Sequence, residues 1–521
     1  MGGKAWNLKT RHTWEVFRKT RRLRAMPSEI NTKRVAPAAP NLFLTVFPSI
    51  MLPMFLAAVD QTIVATALPA IAGSLGDVER VSWVVVSYLV ANTIAAPVYG
   101  RLGDVLGRRK MMFVALGVFV GASLLCAVAG SILMLTAARL LQGVGGGGLM
   151  TLSQALIAES VPPRERGKYQ GYLSGMYASA ATFGPVAGGF LTEHFGWHSV
   201  FLVNVPLGAL AAMLVMRLPA HASGGGRVQF DVWGTVFFAG FIAPALLAME
   251  RAQHIDLAAA PAVVALLVVS ALSLVLLIRQ ERRVSAPLLP IALFRQAGIW
   301  RTDTMAACVA AQTVSLVSFL PMYLQVVRGA SAGHSGVLLL PLTLGVATGS
   351  FFCGRLIAAT GRTAILPSVG LAVSAAMLLW LAAFAPALST GTITVMLAVA
   401  SFCTGTAMPV VQMTVQTVAG PRFLGAAAAS VQFSRSVGAS FGTALVGAVL
   451  FAVLATRDPA TAAMFARLVQ QGPAALAVLP VAQQMAERAE IADAFRAAFL
   501  TIGLFTTTGM LFAWWLPVRR I

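Results

Sequence analysis

Acidic side chains are scarce in this chain: 18 Asp and Glu among 521 residues, against 38 Lys and Arg. Charged residues of both signs make up only 11% of it and hydrophobic residues 58%, with a mean hydropathy of +0.80. A soluble globular domain is nearer half apolar and a quarter charged, so that class is excluded. Cysteine and histidine are rare as well, four and six. Cys126, Cys308, Cys353 and Cys403 fall singly inside apolar runs at no metal-ligand spacing. That pattern excludes a disulfide scaffold and a metal site, and leaves them as small packing residues. No Gly-x-x-x-x-Gly-Lys-Ser/Thr loop is present, so ATP hydrolysis is not implied. The expectation is a protein that is not an enzyme and carries no cofactor or metal.

The apolar residues fall in continuous runs of about 20, the length that crosses a bilayer as a helix. The runs lack the period-two alternation of barrel strands, which leaves an all-α polytopic membrane protein. Spans are predicted near 43–70, 81–99, 110–130, 132–157, 169–191, 199–218, 231–250, 258–279, 302–326, 334–357, 363–385, 391–417, 423–454 and 495–518, about fourteen in all. The net charge of +20 lies largely in a basic tail at 1–42 and in alternate loops. That is the positive-inside pattern and not a nucleic-acid footprint. It puts both termini in the cytoplasm, with 519–521 as the cytoplasmic end and the mixed-charge segment 455–494 outside. The tail also carries Trp6, Trp14 and Phe17 among its cations, a composition suited to an anionic inner leaflet.

One short frame occurs twice. Gly100-Arg-Leu-Gly103-Asp104-Val-Leu-Gly107-Arg108-Arg109-Lys110 reads as a basic loop after the second span. Gly354-Arg355-Leu356, four residues, Gly361-Arg362 repeats it, with Ala358 in place of Asp104. The chain therefore divides into a six-span unit at 43–218, an inserted pair within 219–301 and a second six-span unit at 302–518. Parallel repeats of this kind are transporter architecture.

Asp60 lies well inside the first span, where a carboxylate costs about 2.5–3.5 kcal/mol on insertion scales. A proton or a cation partner removes that cost. Arg139, in the fourth span, is the candidate partner, because both lie roughly 11–15 Å below the outer ends of their helices at 1.5 Å per residue. Pro185 breaks a backbone hydrogen bond in the fifth span, and Gly184, Gly188 and Gly189 around it permit close helix approach. Gly100, Gly103 and Gly107 permit tight backbone approach in the first loop. Asp104 there is placed to meet Arg108 or the start of the thirteenth span at Pro421-Arg422. Asn92, Gln142, Gln312, Gln412, Gln416 and Arg435 are polar positions inside spans and candidates for lining a substrate cavity.

Together these stretches resemble the major facilitator superfamily, and within it the fourteen-span drug–proton antiporters of EmrB/QacA type. The loop from Gly100 to Lys110 is similar to the family's loop 2–3 signature, and Gly184-Pro185-Val-Ala-Gly188-Gly189 to its antiporter motif. Asp60 to Pro69, Arg139-x-x-Gln142-Gly143, Trp197 to Gly208 and Pro321-Met-Tyr-Leu-Gln325 add to the likeness, which runs from about 43 to 518. The resemblance implies two six-helix bundles plus two extra central helices, alternating access and location in a bacterial inner membrane. It also implies efflux driven by the proton gradient. It assigns coupling to Asp60 and Arg139, exchange to Pro185 and its glycines, and gating to Asp104 and Arg108. It further implies a small-molecule substrate, protons and, in some relatives, a periplasmic adaptor and outer-membrane channel as partners. The thirteenth span carries Arg435 and no carboxylate, which separates this chain from branch members that use extra acids for dications.

The expected function is proton-coupled export of amphipathic drugs or related small molecules. Export of one endogenous metabolite, siderophore or sugar is the alternative, and a non-transporting sensor or scaffold is the alternative of another class.

Overall fold

A computed structural model describes residues 47–76, 80–218, 230–252, 260–284, 287–288, 291–330, 332–457, 480–516 and the single positions 461, 464, 465, 468 and 518. The basic tail 1–42, much of 458–479 within the outer segment 455–494, and the end 519–521 lie outside the described residues. All the described residues belong to one compact unit, Phe43–Ile521.

Seventeen α-helices are described. The first half contains α1 (Phe47–Leu75), α2 (Val81–Leu106), α3 (Arg108–Ala127), α4 (Ile132–Ser160), α5 (Pro163–Phe195), α6 (Ser199–Leu202) and α7 (Asn204–Val215). The inserted pair is α8 (Val232–Ala252) and α9 (Ala260–Glu281). The second half contains α10 (Ile291–Phe294), α11 (Ala297–Met322), α12 (Ala332–Thr360), α13 (Ile365–Phe384), α14 (Thr390–Gly405), α15 (Ala407–Ala419), α16 (Leu424–Arg457) and α17 (Val481–Trp514). Long apolar runs take this form because a helix satisfies every backbone group within one segment, which lipid demands. Twelve of the described helical segments are long and apolar enough to cross a membrane. At the other two predicted spans stand α5, whose first turns carry Glu165, Arg166 and Lys168, and the shorter apolar stretch Ser199–Val215.

Several boundaries differ from those expected from the sequence. The Gly100–Lys110 stretch is not a loop: α2 continues to Leu106, α3 starts at Arg108, and Gly107 at φ 95° is the whole connection. Gly361, at φ 66°, ends α12 in the same left-handed region, but there three more residues precede the next helix at Ile365. Glycine tolerates this left-handed region, so at Gly107 one residue suffices where a loop was expected. The second half begins earlier than 302, since α11 starts at Ala297 and takes Arg301 and Asp303 into the helix. The segment 455–494 is partly helical, because α16 runs to Arg457 and α17 starts at Val481. The start of α16 is preceded by a short 3₁₀ turn, Pro421–Phe423, so the helix opens at Leu424 and not at Pro421.

In the first half α4 packs against α2 and α3, and α5 against α1. The second half repeats the plan, with α12 on α14 and α11 on α16 and α17. Across the halves α2 meets α16 and α5 meets α12. The inserted α8 packs on both α2 and α16, with Phe238 against Phe433 at 5.7 Å, so it covers that seam. Its partner α9 leaves Val264, Leu267, Val268 and Leu272 uncovered, as a lipid-facing helix does.

Candidate functional site

Asp60 and Arg139 meet. Asp60 is 0% exposed and Arg139 1%, and Asp60 Oδ2 stands 2.5 Å from Arg139 Nη1. The other oxygen, Oδ1, accepts from Gln142 Nε2 and from Asn204 Nδ2, each at 2.8 Å. Both amides also donate to Ser123 Oγ, at 2.8 and 3.2 Å. Helices α1, α3, α4 and α7 thus converge on one carboxylate. A buried ion pair holds only when the remaining hydrogen-bonding capacity is met, and here it is. The sequence points to the pair but offers Gln142 for a cavity; the structure puts Gln142 in the pair's own network. Ser123, Asn204 and Tyr88 are members that the sequence did not single out. An Asn and a Ser inside apolar runs were the available signal.

Arg139 has acceptors beyond Asp60. Its Nε donates to the Val84 carbonyl at 3.2 Å and its Nη1 to Gln142 Oε1 at 2.6 Å. Its guanidinium lies 4.2 Å from the Tyr88 ring centroid, a cation–π distance. If Asp60 takes a proton, the cation keeps a carbonyl, an amide oxygen and a ring face. The glycines after Arg139 place this helix: a Cβ at Gly143 or Gly147 would strike the Tyr88 or Asn92 carbonyl of α2, and one at Gly145 would strike Phe119 of α3.

The glycines of the predicted antiporter stretch divide by face. Gly184 lies against Thr62, and Gly188 against Thr66 and the Ile63 carbonyl, all on α1 just beyond Asp60. Thr62 Oγ1 donates to the Ala180 carbonyl at 3.0 Å, joining the two helices there. Pro185 and Gly189 are exposed and face away from α1.

At the other end of the helices the halves touch backbone to backbone. Gly100 of α2 lies against Gly425 of α16, and Gly354 of α12 against Gly167 of α5; a Cβ at any of the four meets main chain. The duplicated frame therefore puts its first glycine on the opposite half in both copies. Only the first copy adds an acid. Asp104 accepts from the Gly425 amide at 3.2 Å (Oδ2) and 3.3 Å (Oδ1), and from Arg108 Nη2 at 2.7 Å. Arg108 Nη1 also reaches Glu159 at 2.6 Å. A carboxylate at the first turn of α16 complements the helix dipole. Gly103 sits under Leu152.

The candidate cavity residues scatter. Gln312 donates to Thr404 Oγ1 at 2.9 Å and to Ser374 Oγ at 3.4 Å, within the second half. Gln416 Nε2 reaches the Gln154 carbonyl at 3.5 Å, across the halves. Asn92 is buried with neither side-chain atom hydrogen-bonded, and the Gln412 Oε1 is likewise unpaired. Arg435 of α16 stands 5.6 Å from the Tyr177 ring of α5, and among the described residues no carboxylate pairs with it. Gly438-Ala-Ser440-Phe-Gly442 matches the Gly-x-Ser-x-Gly frame of hydrolase elbows. It lies mid-helix in α16, with its glycines against Ala307 and Ala311 of α11, so it serves packing. Among the described residues no His, Cys, Asp and Glu group could hold a metal ion.

Two repeated helical halves that touch through paired glycines at one end, with a buried acid–arginine pair inside the first half, define a multi-pass helical membrane protein. A family model described as Major Facilitator Superfamily matches residues 50–443, and the chain belongs to that superfamily. It is 34% identical over 408 residues to an uncharacterized MFS-type transporter of Mycobacterium tuberculosis (strain ATCC 25618 / H37Rv), covering 78% of this chain and 59% of that protein. The match thus spans about three fifths of the mycobacterial relative's length. It is 29% identical over 403 residues to the multidrug transporter protein MdtP of Bacillus subtilis (strain 168), covering 77% of this chain and 74% of that one. Among solved structures, the human organic anion transporter MFSD10 superposes with a TM-score of 0.62 at 15% identity, covering 90% of this chain and 99% of that chain. The proton:xylose symporter XylE gives a TM-score of 0.59 at 15% identity, covering 92% and 98%. Both structural likenesses speak to fold alone.

Proposed function

We propose that this chain is a proton-coupled exporter of amphipathic small molecules, a fourteen-span antiporter of the EmrB/QacA type in a bacterial inner membrane with both termini cytoplasmic. The observation that carries the reading is the buried Asp60–Arg139 pair, in which Arg139 has spare acceptors for the moment Asp60 is neutral. A purely structural bridge needs no such reserve. Protonation of Asp60 from outside removes the ionic bond and leaves Arg139 held by Val84, Gln142 and Tyr88 alone, which loosens α4 from α1. The Gly184 and Gly188 contacts lie within two turns of Asp60 on α1, so the same change is felt where α5 crosses α1. Multidrug and efflux names among the relatives support drug-like cargo. The glycine contacts and the Asp104 latch hold the halves together at the end this reading places in the cytoplasm.

The unpaired Arg435 beside Tyr177 favours a second reading for cargo, in which acidic amphipaths, including one endogenous metabolite, are accepted alongside or instead of lipophilic cations. The test is efflux of ethidium and of a fluorescent organic acid from proteoliposomes under an imposed pH gradient. Gradient-driven efflux of either supports export, and the ratio between them sets cargo charge. A protein that moves neither, on any gradient, is a sensor or scaffold.

A further inference from the structure

Asp303 is a second acid inside the helical body, at a position where the sequence led us to expect the mere start of a span, near 302. It lies on α11, about 9 Å along from Ala297. It is 5% exposed, and neither carboxyl oxygen has a hydrogen-bond partner. Ser430 of α16 faces it; its hydroxyl donates to the Ala427 carbonyl at 3.0 Å, which leaves its oxygen able to accept the O–H of a neutral Asp303. The surroundings are an apolar cluster that includes Ile299, Met305, Ala306, Ala427 and Val431.

No cation is at hand among the described residues. The neighbouring Arg301 donates to the Trp515 carbonyl at 2.7 Å. On α16, Arg435 lies over Tyr177; on α12, Arg355 lies over the Phe351 ring at 4.4 Å. Helix α15 has no charged residue, and those of α17 (Glu487, Arg488, Glu490, Asp493, Arg496) occupy its first half, at the far end from Asp303. An ionised carboxylate without a partner in such a place costs several kcal/mol. The site as it stands accommodates the acid with its O–H bond intact.

The helix that roofs this site is the one the latch holds. Ser430 lies six residues after the start of α16 at Leu424, and the glycine that Gly100 and Asp104 grip, Gly425, is the second residue of that helix. We propose that Asp303 is a second proton-carrying site, sealed while the cytoplasmic side is closed and opened to cytoplasmic water when the start of α16 leaves α2. The O–H bond then breaks, the proton passes to water, and closure requires the carboxylate to take up a proton again. That proton leaves to and returns from the cytoplasmic side, so Asp303 gates opening and closing there, and the proton carried across the membrane remains the one on Asp60. This rests on the antiport reading, and the test separates the two.

The experiment uses the full chain in lipid nanodiscs for infrared titration of the carboxyl C=O stretch, and in proteoliposomes for proton-to-ethidium ratios. The variants are Asp60→Asn, Asp303→Asn and Asp303→Glu. Expected is a carboxyl C=O band that fades reversibly as the pH is raised. The band survives in Asp60→Asn, is lost in Asp303→Asn and shifts in Asp303→Glu. Raising the pH on the cytoplasmic side slows ethidium efflux in the wild type, because reclosure waits for the proton; the slowing is lost in Asp303→Asn and restored in Asp303→Glu, while the proton-to-ethidium ratio stays the same in all three. A band that never titrates, no band assignable to Asp303, or the same pH dependence of efflux in Asp303→Asn as in the wild type overturns the second site. If the wild type moves no ethidium on a gradient, the antiport reading fails for that cargo, and the infrared titration alone decides whether Asp303 carries an exchangeable proton.

Discussion

The Asp104 carboxylate accepts the amide of Gly425 at 3.2 Å, from the opposite half of the chain. It does so at the one place where α2 and α16 come close enough for Gly100 and Gly425 to touch through backbone alone. Loss of the acid and loss of the close approach therefore have separable effects.

Replacing either member of the glycine contact forces the halves apart on that side. Gly100→Val or Gly425→Val drives a side chain into main chain, an overpacking cost of about 1–3 kcal/mol. That corresponds to roughly a 5- to 150-fold shift toward the cytoplasm-open state. Spin-label distances between the ends of α2 and α16 lengthen in both variants. The same is expected for Gly354→Val against α5, measured between α5 and α12. Unchanged distances would remove the glycine pairs from the gate.

Asp104→Asn acts more mildly than Gly100→Val. The amide retains an acceptor for Gly425 but loses its charge toward Arg108 and the start of α16. Losing a charge at a helix end weakens the latch by about 0.3–1 kcal/mol. Transport falls by less than about tenfold, whereas Asp104→Leu, which removes every acceptor, falls further. The check is initial efflux rate at matched protein amounts.

Removing the cation of the buried pair is a stability matter before it is a transport one. Arg139→Ala leaves Asp60 as a buried charge without its partner, at about 3–5 kcal/mol. Asp60→Asn keeps a neutral isostere among Gln142, Asn204 and Ser123 and is better tolerated. Thermal unfolding in detergent should therefore rank wild type and Asp60→Asn well above Arg139→Ala. The double variant Asp60→Asn with Arg139→Ala recovers part of the loss.

Arg435→Ala tests cargo charge. Without the guanidinium, affinity for an acidic dye falls tenfold or more, the scale of one charge-assisted hydrogen bond at about 1.5–3 kcal/mol. Affinity for ethidium does not fall. Equal losses for both dyes would mark Arg435 as a packing residue.

Much of this site is legible in the chain because each feature needs a residue type that lipid otherwise rejects. A carboxylate and a guanidinium inside apolar runs stand out, and Asp60 and Arg139 are indeed paired. The duplicated Gly-Arg-Leu frame stands out for the same reason. Sequence alone does not show that its first glycine in each copy faces a glycine of the other half, since that depends on how the halves dock. Gln142 is misplaced by sequence because an amide in a span looks the same whether it faces a cavity or a neighbouring carboxylate. Asp303 escapes notice because an apolar run gives no sharp start when the helix extends five residues beyond it. The Gly100–Lys110 connection looks longer than it is because a single left-handed glycine leaves no compositional trace.

The most direct test runs the coupling in reverse. Proteoliposomes carrying a pH dye are given an ethidium gradient and no pH gradient, with wild type beside Asp60→Asn. The account predicts that ethidium flow drives protons the opposite way in the wild type, and that Asp60→Asn abolishes this proton movement while remaining folded. Equal proton movement in both proteins would contradict it, and would take the proton away from Asp60.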